Sequence, residues 1–198
     1  IGAPSFSLIH AHGDRIFGVA DDGTIYYSKK KSPGRPIEFA MENIIPFNRN
    51  GKPIKALGTL DDKMLIYQEE RQFYISGEGP TDTGIGSFTE PIDLNSDNGC
   101  VDANSVERFP SGIVYKSRKG FYLRRSDLSE VYIGADVEDW NQYQVSAANL
   151  VADNNEIIFS SIDGPRLVYN YFFNVWAVDE TVMETDAVIW NSQLISIR

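Results

Sequence analysis

Five groupings in this sequence have the residue types and spacing that chemistry uses. Asp93, Asn95, Asp97, Asn98 and Gly99 place oxygens at alternate positions, as the opening of a calcium loop does. The sixth position is Asn98 where such loops need glycine, and the twelfth is Asn104 where they need a bidentate glutamate. The stretch therefore reads as a turn whose Asx side chains bond the local backbone. His10 and His12 are the only histidines and stand at strand spacing, so both can face one side. Two imidazoles are too few for zinc without distant carboxylates, and they are the only candidates for histidine acid–base work.

Carboxylates pair at Asp21/Asp22, Asp61/Asp62, Glu69/Glu70 and Glu138/Asp139. A glycosidase needs two carboxylates about 5–10 Å apart across a pocket. Most of these pairs fall in turns, where aspartate has structural reasons to be. Lys29, Lys30 and Lys31, followed by Arg35, could touch phosphate, but three lysines in a hairpin loop read first as solvated charge. Tyr169, Tyr171, Phe172, Phe173 and Trp176 read as core between sheets rather than a sugar platform. Phosphate-binding glycine loops, a nucleophile elbow and the zinc-protease helix motif are all missing. The expectation is no catalytic residue, no cofactor and no metal, and hence no enzyme.

The elements that would position these residues repeat. Four stretches share a plan of apolar strand, polar turn and a second strand rich in Tyr or Phe: RIFGV/TIYYS, KMLIY/QFYIS, GIVYKS/FYLRRS and NEIIFS/PRLVYNY. A fifth begins at SQLISI. With Phe17, Leu65, Val114, Ile158 and Ile195 taken as equivalent, the steps are 48, 49, 44 and 37 residues. A feeder strand is expected before each, at 7–12, 55–60, 105–109, 147–152 and 186–189. Turns such as Asp22–Gly23 supply the positive φ that suits a tight hairpin. One such sheet cannot bury its apolar faces alone, and stacking sheets around an axis does. The sequence thus predicts an all-β fold with very little helix: a β-propeller of antiparallel four-stranded blades, four complete and part of a fifth. The repeats are approximately 5–50, 51–100, 101–143, 144–182 and 183–198 (partial), in one domain spanning 1–198. Helix is expected only at 135–143, as a short connector. Residues 77–100, rich in Gly, Asp and Ser, are expected to form a long loop with an extended stretch at 87–92.

Bulk properties narrow the function. The formal net charge is −10, which disfavours tight wrapping of nucleic acid but not a surface that DNA slides past. The one cysteine, Cys100, leaves no internal disulfide and reads as a small buried hydrophobe. No apolar run approaches the roughly 18 residues of a membrane helix, so no membrane insertion is expected. The start shows no signal-peptide pattern and no methionine, and the last repeat stops two strands short. The expectation is therefore a processed or truncated piece with open sheet edges that a partner or further chain would cover.

Residues 14–39 (DRIFGVADDGTIYYSKKKSPGRPIEF), 58–84, 117–141 and 167–178 (LVYNYFFNVWAV) together resemble the tail nozzle, or packaged-DNA stabilisation, proteins of short-tailed bacteriophages. The resemblance spans most of the chain and rests on structural motifs. It implies a virion structural protein at the distal end of a phage tail, assembled in the bacterial host cytoplasm. It further implies a homo-oligomeric ring around the DNA exit channel, docked on an adaptor ring and supporting a needle or receptor-binding spikes. DNA would pass without sequence-specific binding, and there are no family catalytic residues to carry over. The alternatives are a generic ligand-binding propeller, lectin-like or protein-docking, and a carbohydrate-active propeller enzyme.

Overall fold

The computed structural model describes residues 5–47, 50–81, 83–181, 184–191 and 193–197. Among them the structure is nearly all strand, with three short 3₁₀ segments. The chain divides into two compact units, 1–97 and 98–198.

The first unit holds two four-stranded antiparallel sheets, each with its strands in chain order. The first sheet is β1 (Leu8–His12), β2 (Arg15–Val19), β3 (Ile25–Ser28) and β4 (Phe39–Ile45). The second is β5 (Ala56–Leu60), β6 (Lys63–Tyr67), β7 (Gln72–Ser76) and β8 (Ile92–Asp93). The inner strands are buried on both faces, which is why Tyr26 and Tyr27 can stand side by side in β3 and why Met64–Tyr67 shows no alternation. Phe17, Ile25, Tyr27, Met64, Ile66, Phe73 and Ile75 belong to one buried cluster shared by the two sheets.

The second unit repeats the plan. β9 (Glu107–Phe109), β10 (Gly112–Ser117), β11 (Gly120–Arg124) and β12 (Glu130–Tyr132) form one sheet. β13 (Val145–Val151), β14 (Glu156–Ser161), β15 (Arg166–Asn170) and β16 (Val175–Asp179) form the next. β17 (Asp186–Trp190) and β18 (Gln193–Ile197) pair as a two-stranded sheet. Its core joins Val114, Phe121, Leu123, Phe159 and Leu167, with Trp176 packed against Phe121, Phe159 and Tyr169.

The feeder strands fall within about two residues of their expected ends, and the five reference residues all lie on the strand that follows the feeder. Two local expectations change. The 135–143 connector is 3₁₀ at Ala135–Trp140, broken at the fully buried Val137, which leaves helical angles (φ −126°, ψ 23°). The extended stretch expected at 87–92 pairs only at Ile92–Asp93. Thr89 still exchanges bonds with Ser76, but Pro91 has no N–H to continue the ladder.

Candidate functional site

The first strand of a sheet lies beside the first strand of the next: β1 beside β5 in the first unit, and β9 beside β13 and β13 beside β17 in the second. The register then gives one repeated position. His10 pairs with Phe17, Glu107 with Val114 and Asn149 with Ile158, so these three polar residues are structural equivalents. Each reaches to the following first strand. His10 Nε2 bonds Thr59 Oγ1 on β5 at 2.9 Å. The Glu107 carboxyl accepts from the Leu150 N–H on β13. Asn149 Nδ2 donates to Ala187 O on β17 at 3.1 Å.

The two histidines do share a face, as strand spacing predicts. Both bond the same hydroxyl, His12 through Nδ1 at 3.1 Å, while Thr59 Oγ1 donates to Ala11 O. With that proton committed, both rings must act as N–H donors. Burial, and then the neighbouring His12, push the His10 pKa down to about 4, so the ring is neutral at pH 7. Burial likewise pushes the Glu107 carboxyl up to about 7 despite its bond from Leu150.

A cleft of about 460 Å³ at the turn end of the first unit gathers His12, Asp14, Arg15, Lys30, Asp61, Asp62 and Glu78. This is where the sequence's Asp61/Asp62 pair and one lysine of the basic run come together. Their charges are already engaged. Lys63 holds Asp62 at 2.6 Å, Lys30 holds Glu78 at 2.8 Å, and Lys29 holds Glu38 at 2.9 Å. The other paired carboxylates also have local tasks: Asp22 accepts from the Thr24 N–H, Glu70 meets Lys52, and Glu138 accepts from the Tyr132 hydroxyl. Asp93, first of the calcium-like series, accepts from the Asn95 N–H at 2.8 Å and pairs with Arg71 at 3.0 Å. Among the described residues no group of three or more His, Cys, Asp or Glu side chains is placed to hold a metal ion.

Three buried polar centres had no sequence signal. Arg15, only 5% exposed, donates to the carbonyls of Ser28, Glu78 and Pro80, and its guanidinium lies 5.6 Å from the Tyr27 ring and 5.8 Å from Phe88. It fastens the 77–91 excursion to the first sheet, with Phe88 edge-on to Phe17 and Tyr27. Lys116 pairs with Asp102 at 3.1 Å and donates to Tyr143 O, and Asp102 also accepts from the Val145 N–H where β13 begins. Glu184 accepts from Ser160 at 2.9 Å and Arg166 at 2.6 Å. Burial works against its charge, but Ser196, Ser160 and Arg166 together hold its carboxyl below the usual range. Lys116 and Ser160 are equivalents in register, and Tyr143 and Glu184 each stand two residues before the next first strand. The same latch between successive sheets is thus built twice with different chemistry. Aligning the repeats by register would have exposed it; residue type alone could not.

Neither a protein-family model nor a curated protein sequence matches the chain.

Proposed function

We propose that the sheets are blades of a β-propeller and that the chain is a structural component of a short-tailed phage virion, a tail nozzle module rather than an enzyme. The observation that carries the architectural part is the adjacency of first strand to first strand, with a polar bridge at one register position on β1, β9 and β13. Sheets stacked radially meet along their innermost strands, whereas sheets of a sandwich meet face to face. The phage reading rests on the resemblance of 14–39, 58–84, 117–141 and 167–178 to the nozzle family. It gains support from a surface whose charge is spent locally: Lys29 and Lys30 hold carboxylates instead of offering a phosphate-binding stripe. With a net charge of −10, a ring of such subunits would repel DNA and let it slide.

In this reading the partners are an adaptor ring above and a needle or spikes below, and the protein resides in the tail. Electron microscopy of the native particle tests it: a ring of subunits around a channel is expected, and a strictly monomeric protein in its native source refutes it.

A further inference from the structure

The turn between β15 and β16 presents two adjacent phenylalanines to water. Phe172 is 71% exposed and Phe173 70%, with Val175 beside them at 50%. The turn is held rigid from below. Asn170 Oδ1 accepts from the N–H groups of both phenylalanines at 3.2 and 3.1 Å. Asn174 takes a left-handed φ of 57° and accepts from the Tyr169 hydroxyl at 2.6 Å. The Tyr171 N–H donates to Asn155 O at 2.9 Å. The rings are set edge to face with centroids 4.9 Å apart. A fixed turn exposing two phenylalanines lowers solubility without serving the core, so the burial it offers is for something outside the chain.

Trp190, 71% exposed, stands at the same end of the unit. Glu184, just before β17, is held at Ser160 near the start of β13, and further along Asn149 meets Ala187. β17 therefore runs with β13, and its end at Trp190 lies toward the 152–155 and 171–174 turns.

We infer that this tip is an interfacial anchor for a neutral lipid surface. Two features select lipid over a protein. Two phenylalanine rings offer about 300 Å² of apolar area, well below the roughly 800 Å² per partner of a stable protein interface. A bilayer needs no shape complementarity and accepts small apolar tips. The charge pattern selects a zwitterionic surface: residues 167–178 carry no charged side chain, in a chain that is 23% charged and net acidic. Two rings at a turn are an anchor, far short of a membrane span, and the inference stands independently of the nozzle reading.

The test is flotation of the full chain with phosphatidylcholine vesicles. Half-saturation is expected at about 1 mM lipid, and the F172S/F173S variant should need at least about tenfold more lipid. Those side chains are exposed, so its melting temperature should be unchanged. As a second readout, Phe172→Trp should show blue-shifted emission with the same vesicles and quenching by bromine-labelled acyl chains. Absence of flotation at about 10 mM lipid overturns the inference. So does flotation that requires anionic lipid, or equal flotation of the double serine variant. Sedimentation without vesicles showing a dimer that the double variant abolishes would assign the tip to a second copy of the chain instead.

Discussion

Arg15→Met tests whether one buried cation holds the 77–91 excursion in place. Methionine keeps an unbranched apolar stem between Tyr27 and Phe88 but deletes donors to three backbone carbonyls, those of Ser28, Glu78 and Pro80. Each hydrogen bond from a charged group contributes about 1.5–3 kcal/mol, so the gross loss is roughly 5–9 kcal/mol. Relief from burying a guanidinium that is only 5% exposed offsets several of these. A net loss of about 3 kcal/mol remains, which lowers the melting temperature of a unit this size by about 10 °C or more. Hydrogen exchange should rise first at 77–91, because two of the three carbonyls belong to that segment. Arg15→Lys should recover less than half the loss, since a point charge cannot replace the planar fork across three acceptors. A methionine variant that melts within about 2 °C of the parent, with protection at 77–91 intact, refutes the reasoning.

Glu107 and Cys100 give two further expectations. The Glu107 carboxyl is raised to about 7 from an ordinary 4.5, so between those values the folded state keeps a proton that the unfolded state releases. Stability therefore falls as pH rises through that window, and Glu107→Gln should stabilise by about 2 kcal/mol at pH 8 yet change little at pH 4.5. Thermal melts at the two pH values check this, and an equal gain at both would refute it. Cys100, fully buried with its thiol pushed up to about 12 by burial, should resist alkylation at pH 8 in the native protein and react only after denaturation. Mass spectrometry after iodoacetamide reads the outcome, and rapid native labelling would count against the buried site.

The sequence by itself determined the repeat, because hairpins are local. Apolar runs such as KMLIY and FYLRR, punctuated by Asp22–Gly23 or Lys119–Gly120, specify strand and turn without reference to the rest of the chain. It also marked the carboxylate pairs as turn residues, and Asp22 does cap its own turn. The short fourth strands were legible only as a class: Ile92–Asp93 and Glu130–Tyr132 carry too little pattern to be placed, and Pro91 cuts one of them short.

Tertiary structure decided everything that links one sheet to another. Whether His10, Glu107 and Asn149 are equivalents depends on cross-strand register, a property of pairs of residues far apart in sequence. Arg15 looks like an ordinary charged strand residue until the 77–91 excursion folds over it and supplies two of its three acceptors. The aromatic run at 169–176, read from sequence as a single core cluster, is split by the geometry of one turn. Tyr169 is buried and Trp176 packs against the core, while Asn170 and Asn174 turn Phe172 and Phe173 outward. Composition cannot make that division, because the facing of a side chain is set by the backbone angles of the turn that carries it.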